Sequence, residues 1–359
     1  MKILHTADVH LRQPEGPRWQ ALAVVLDTAA DKQVDAVTIG GDLFDQDFNA
    51  SQARGQIRSL FEAYDFPIIV ISGNHDSQSY QQGFDFGANV NAISSLEHPF
   101  RLDQTSIYGL PFAPLSQQQL LTKLHQLQEQ LDPDQVNILL FHGELLDQFF
   151  SSQDFGQEGE RRYLPVRLSY FSELDLDYVL AGHFHTRFAK HQLPNQRLEQ
   201  GGFFVYPGSP ISITHKETGA RQAVLLETGQ PPQAIKLNTP HFHQLELNVN
   251  PSQTTSPVVQ LQSQLKKLSK NAWPIAKLSG YFDQEKIGLT EKQLAAELEK
   301  LQQTNPHLTL ENQLQDIGQI LDSGLYQAFV EKLSKHQTKY QQPDQLKQTL
   351  ISAMIKHHG

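Results

Sequence analysis

Asp, Asn and His recur in five short clusters: Asp8-Val9-His10, Gly41-Asp42, Gly73-Asn74-His75-Asp76, His142-Gly143 and Gly182-His183-Phe184-His185. Oxygen and imidazole donors of this kind form a ligand set of intermediate hardness, suited to Mn²⁺, Fe²⁺ or Zn²⁺. The chain has no cysteine. Thiolate zinc sites, disulfides and thiol nucleophiles are therefore excluded, and any metal must be held by oxygen and imidazole. Two such ions ~3.5–4 Å apart clamp a phosphoryl group for in-line displacement. One carboxylate between them would serve both, and Asp42, alone after its strand, is the candidate. In extended backbone, residues i and i+2 face the same side. Asp8 with His10, and His183 with His185, are thus expected to present paired ligands. The neighbouring Gly41, Gly73, Gly143 and Gly182 let the backbone turn sharply close to the ions.

Each cluster follows an apolar run that reads as a strand: Ile3–His5, Ala36–Ile39, Ile68–Ile71, Ile138–Phe141 and Tyr178–Ala181. Helical apolar spacing over Trp19–Ala30 and Ala53–Ala63 alternates with the first three strands. This β–α–β–α–β order implies parallel pairing in an α/β layered sheet. The carboxyl ends of parallel strands face one crevice, so the five clusters converge there although they are far apart in sequence. Gln117–Gln130 adds a helix. Phe203–Tyr206, Ala223–Glu227, Ala234–Leu237 and Gln244–Val249 read as antiparallel strands completing a second sheet. Asn250–Pro257, rich in Ser, Thr, Gln and Pro, reads as a linker. Beyond it come a strand at Pro274–Phe282, a helix at Thr290–Gln303 with a capping-box pattern, and a strand at His307–Leu310. Amphipathic stretches at Leu325–Tyr340 and Asp344–His357 follow.

The five clusters, in this order, resemble the pattern D-x-H, G-D, G-N-H-D/E, H, G-H-x-H of calcineurin-like metallophosphoesterases. Leu4-His5-Thr6-Ala7-Asp8-Val9-His10, Gly41-Asp42-Leu43-Phe44-Asp45, Ile107-Tyr108-Gly109-Leu110-Pro111-Phe112 and Tyr206-Pro207-Gly208-Ser209-Pro210 narrow the resemblance. They are similar to the DNA-repair exonuclease branch of SbcD- and YhaO-like proteins, over residues 1–230. The resemblance implies a four-layer α/β sandwich of two mixed sheets flanked by helices. It implies a catalytic domain over 1–250, a small α/β capping, DNA-binding domain over 257–322, and C-terminal helices over 324–359 that either pack on the chain's own cap or dock a partner.

The resemblance also implies roles. One divalent ion would take Asp8, His10, Asp42 and His185, the other Asp42, Asn74, His142 and His183. Manganese is the leading metal, with iron, zinc or magnesium as alternatives. His75 would protonate or stabilise the leaving oxygen, and Asp76 would orient it. Archaeal and eukaryotic members of this branch often carry a histidine where Asp45 stands; the Asp here resembles the bacterial members and leaves His75 as the main candidate proton donor. The implied activity is a metal-dependent phosphodiesterase acting on DNA, an exonuclease and also an endonuclease. A small nucleotide, cyclic nucleotide or phosphoprotein is the alternative substrate. Implied partners are DNA, an SbcC-like coiled-coil ATPase and a second copy of the chain.

Composition sets further bounds. With 39 acidic and 29 basic residues, the net charge is −10, against a chain coated in positive charge for nucleic acid. The acid is concentrated in residues 1–250, while 251–359 carry a small positive excess. No apolar run approaches the ~20 residues that span a bilayer, and no leader-like segment opens the chain, so the cytoplasm is expected. Without Gly-x-x-x-x-Gly-Lys-Ser/Thr, any ATPase function must come from a partner. Several residues have plainer readings. His5 is expected to pack behind the site. His215, His241 and His243 are expected at the surface or strand edges. Arg12, Glu15 and Arg18 read as a solvated loop more readily than as DNA contacts. Pro207–Pro210 is a turn or a rim of the site.

Overall fold

The computed structural model describes residues 1–80, 85–147, 163–193, 201–335 and 343–358. The chain divides into two compact units, Met1–Phe242 and His243–Gly359.

In the first unit, β1 (Lys2–Thr6), β2 (Ala36–Gly40), β3 (Ile68–Ile71) and β4 (Val90–Ala92) pair in parallel. A second sheet holds β5 (Phe100–Leu102), β6 (Thr105–Leu110), β7 (Val136–His142), β8 (Tyr178–Gly182), β9 (Ala189–Leu193) and β10 (Gly202–Tyr206). Its order is β5-β6-β7-β8-β10-β9, parallel from β6 through β10 with antiparallel edges. The first sheet is completed by β11 (Gln222–Glu227), antiparallel to β1, and β12 (Gln233–Lys236). This corrects the expectation that the strands after residue 202 build the second sheet antiparallel. Only β10 joins it, parallel to β8, and the next two return to extend the first.

The core explains the layering. Ile138 and Leu140 face inward onto Ile3, Ile69, Ile71, Val205 and Val224, between the sheets. Leu139 and Phe141 face outward onto α3 (Gln117–Gln128) through Leu120, Leu124 and Leu127. On the far side, Leu4, Val37, Ile68 and Val70 pack under α1 (Pro17–Asp31) and α2 (Arg54–Phe61). Strands buried on both faces read as continuous apolar runs, as these do. The result is the expected four-layer α/β/β/α sandwich, with both sheets mixed.

The second unit is a three-stranded sheet of β13 (His241–Val249), β14 (Ala272–Phe282) and β15 (Thr309–Asp316). It packs against α4 (Pro257–Leu265) and α6 (Glu291–Thr304), with the short α5 (Gln284–Ile287) between β14 and α6. Leu294, Leu298 and Leu301 line one face of α6 and are buried. Burial of each contributes about 1.5–3 kcal/mol. The capping box of α6 is formed: Thr290 Oγ1 accepts from Gln293 N, and Gln293 Oε1 accepts from Thr290 N. The segment read as a linker ends in a helix signal, because Ser256 caps α4 and Pro257 opens it. The division between the units falls earlier, at the start of β13. The last helices are α7 (Gly318–Leu321), α8 (Gly324–Ser334) and α9 (Pro343–His358). Ile317, Ile320 and Met354 form a buried cluster joined by Leu350 and Ile351, while Leu325 is 66% exposed. Residues 336–340, expected to extend α8, and the side chain of Ile355 lie outside the described residues. No helix among the described residues is long and apolar enough to cross a membrane.

Candidate metal centre

All five clusters lie at the carboxyl ends of β1, β2, β3, β7 and β8. The backbone after β1 continues against that after β2: Asp8 N donates to Gly41 O, His10 N to Asp42 O and Leu11 N to Leu43 O. The path is not the extended one expected from i, i+2 spacing. Asp8, His10, Asp42 and His183 all have positive φ, of 57°, 50°, 50° and 97°. Gly41 has φ 98°, and a Cβ there would strike the His142 ring.

Asp8, His10, Asp42 and His185 bring ligand atoms within 4.8 Å of one another. His10 Nε2 and His185 Nε2 are 3.2 Å apart. Asp8 is fixed by His183 N, which donates to both its oxygens. A second group adjoins the first. His142 Nδ1 donates to Gly40 O at 2.8 Å. Its Nε2 is left facing Asn74 Oδ1 at 2.9 Å and Asp42 Oδ2 at 3.4 Å. His183 Nδ1 lies 3.2 Å from the same Asn74 oxygen. Asp42 stands between the groups. Its Oδ1 accepts from His75 N, while its buried Oδ2 accepts no hydrogen bond and lies 3.7 Å from His10 Nε2.

The electrostatics ask for cations. Burial pushes Asp8 up to about 6, and burial with the Asp42 charge pushes Asp76 up to about 7. Burial opposes a charge on His142, but the Asp42 carboxylate prevails and raises it to about 9. Asp42 is held below the usual carboxylate range: burial would raise it, and His142 and His10 outweigh burial. Burial, with His185 and His75 adding to it, brings His10 down to about 3, leaving a neutral imidazole. A buried carboxylate oxygen without a donor, ringed by imidazole nitrogens and an amide oxygen, fits divalent cations on either side of it.

The other expected residues take definite places. The Asp76 carboxylate accepts from Gly73 N at 2.7 Å and Phe44 N at 3.2 Å, bracing the turn that carries His75. The His75 ring stands edge-on to His10, centroids 4.8 Å apart. Asp45 Oδ2 accepts from Arg12 Nε at 2.9 Å and Arg18 NH1 at 2.8 Å, and is 3.9 Å from His10 Nδ1. Arg12 stays largely exposed, as expected of a solvated loop, yet both it and the more buried Arg18 are ion-paired to Asp45. His5 is buried between the sheets: Nε2 donates to Ala181 O, and Nδ1 accepts from Thr38 Oγ1. His241 is buried, and the His215 ring meets Phe242 edge-on. Pro207–Pro210 does border the site, since Ser209 N donates to His185 O. Sequence reasoning missed Glu217 and Arg221, both buried behind His185; no local pattern marks them.

The sequence profile of calcineurin-like phosphoesterases matches residues 1–187, more than half of the chain. The chain belongs to the calcineurin-like phosphoesterase family. The fold of this family implies a dinuclear divalent-metal site. Among family relatives, the D subunit of nuclease SbcCD from Staphylococcus epidermidis is 26% identical over 256 residues, covering 60% of this chain and 63% of that protein. DNA double-strand break repair protein Mre11 of Sulfurisphaera tokodaii is 26% identical over 242 residues, covering 60% and 55%. The chain thus spans less than two thirds of the length of either relative. Among solved structures, TT1561 of Thermus thermophilus matches with a TM-score of 0.42 at 15% identity, over 66% of this chain and 98% of that one.

Proposed function

We propose that the chain is a dinuclear-metal phosphodiesterase that acts on DNA, an exonuclease with endonuclease activity serving repair or recombination. The observation that carries the reading is Asp42 Oδ2, buried, without a donor, and flanked by two ligand groups. Support for DNA comes from the two relatives, one named as a nuclease subunit and the other for DNA double-strand break repair.

In this reading Asp8, His10, Asp42 and His185 hold one ion, and Asp42, Asn74, His142 and His183 the other. Manganese is the first choice, and iron, zinc or magnesium suit the same donors. When bound, two divalent ions supply an activated water near neutral pH and neutralise charge on the phosphoryl oxygens. The chain's own residues do the rest. The His142 Nδ1–H bond to Gly40 O fixes the tautomer and aims Nε2 into the centre. His75 donates a proton to the leaving oxygen, and Asp76 holds the turn that presents it. Asp45 anchors Arg12 and Arg18 beside His10, adding positive charge where a nucleic-acid backbone approaches.

The domain reading that goes with this is a catalytic domain over 1–250, a DNA-binding cap over 257–322 and a docking segment over 324–359. A coiled-coil ATPase of the SbcC kind, or a second copy, would supply the DNA affinity that a net charge of −10 does not. Such a nuclease works in the cytoplasm beside the chromosome.

The test is an assay of the purified chain with Mn²⁺ on linear duplex DNA, single-stranded DNA and bis-p-nitrophenyl phosphate. Cleavage of DNA and of the small ester is expected. Hydrolysis of the ester with no action on DNA, with or without a coexpressed ATPase partner, would move the substrate to a small phosphoester.

A further inference from the structure

Behind His185 lies a dense polar network. Glu217 is 2% exposed, an unusual position for a carboxylate. It accepts from Ile213 N at 2.7 Å, Thr214 N at 3.1 Å, Thr214 Oγ1 at 3.1 Å and Ser209 Oγ at 3.1 Å. Its Oε1 lies 3.6 Å from His185 Nδ1. The opposite ring nitrogen, Nε2, faces His10 Nε2 and Asp8 Oδ1, at 3.2 and 3.8 Å. Arg221, also 2% exposed, grips the same loop from its carbonyl side. It donates to Ser209 O and Thr186 O, both at 2.9 Å, and to His185 O.

We propose that Glu217 is a positioning residue for His185. Its carboxylate keeps Nδ1 protonated and the ring turned so that the Nε2 lone pair meets the cation. Arg221 neutralises the buried charge and fixes the loop. The inference rests on the ligand role given to His185 above.

The physical case has two parts. A metal-bound imidazole is oriented and made more basic when its other ring nitrogen faces a carboxylate, and removing that partner costs about 10–100-fold in metal affinity. A buried carboxylate is costly unless it is paired. Turn capping uses both oxygens, Oε2 for Ile213 N and Oε1 for Thr214 N, and Oε1 also lies beside the His185 ring. A full negative charge 3.6 Å from the imidazole is what positioning requires.

Glu217→Gln removes the charge at the cost of one turn bond, so its fold is checked by circular dichroism and its readout is the affinity of each ion. The full-length chain is stripped with EDTA and titrated with Mn²⁺ by calorimetry and electron paramagnetic resonance. The wild type is expected to bind two ions. In E217Q, one of the two should bind about 10–100-fold more weakly and the other unchanged. Both affinities within twofold of wild type would overturn the proposal. If E217Q fails to fold, Glu217→Asp keeps the charge but withdraws it by one methylene, and should weaken the same ion; unchanged affinity there is equally fatal. A wild-type chain that binds no Mn²⁺ would instead sink the metal-centre reading, and this inference with it.

Discussion

His5 offers a measurement of how the two sheets are held together beneath the site. It projects from β1 in the first sheet and donates to Ala181 O on β8 in the second. Burial brings its pKa down from 6.5 to about 4. The folded state therefore refuses a proton that the unfolded chain accepts near pH 6.5. Stability from this group is complete above pH 6.5, falls as the pH drops toward 4, and is level below that. At about 1.4 kcal/mol per pH unit, lowering the pH from 7 to 4.5 removes about 2.5 kcal/mol through His5 alone. Other groups titrate in the same window, so the assay compares two proteins. Urea unfolding in EDTA is followed at pH 7 and pH 4.5 for wild type and for His5→Gln. The variant should be less stable at pH 7, by about 1–3 kcal/mol for the lost polar contacts. Its loss on acidification should be about 2.5 kcal/mol smaller than that of wild type. Equal losses in the two proteins would mean that folded His5 takes its proton near pH 6.5, and would refute the buried, neutral role.

Asp42→Ala should abolish phosphodiesterase activity and cooperative binding of two Mn²⁺ ions while leaving the far-ultraviolet dichroism unchanged; residual activity above a few per cent would end its shared role. His75→Ala should still bind two ions yet slow the chemical step by about 10²–10⁴-fold, measured by single turnover on bis-p-nitrophenyl phosphate. Loss of an ion in that variant would make His75 a ligand instead. Gly41→Ala should cost more than the usual surface change, because φ is 98° and the new methyl meets the His142 ring, so weakened Mn²⁺ binding by calorimetry is expected. Deleting 324–359 should leave hydrolysis of the small ester intact, since the buried cluster those helices close is within His243–Gly359. Loss of that activity together with loss of folding would tie the helices to the catalytic unit.

Much of the site was legible because its residues sit at strand ends, where an apolar run stops and a Gly, Asp, Asn or His begins. The strands themselves were legible where both faces are buried, as in Ile68–Ile71. The elements that escaped are those without that signature. Val90–Ala92 is three residues long, and Ala189–Leu193, with Lys190, His191 and Gln192, is a polar sheet edge. Gly109 interrupts β6, for a reason only packing reveals: a Cβ there would collide with Ile93 and Ile71. Return of β11 to the first sheet is a long-range choice that alternation cannot encode. Glu217 and Arg221 follow His185 at a distance with no fixed spacing, so only the folded contacts assign them a place.

The clusters converge as their pattern implies, but along a different backbone path. Alternation along an extended chain would pair Asp8 with His10, but both adopt left-handed φ. The outcome survives because the residue types that suit divalent metals overlap with those that tolerate this region. Asp, Asn and His are enriched there several-fold among non-glycine residues. Each such residue still costs about 1–3 kcal/mol, which persists only where the surroundings over-determine it. Here the restraint is visible. Asp8 N and His10 N are tied to the carbonyls of Gly41 and Asp42, and the Asp8 carboxylate to His183 N. Strain at Asp8, His10, Asp42 and His183 therefore falls on one interlocked set of turns. A change that relaxes any one of them, even without touching a ligand atom, should be felt at the whole centre.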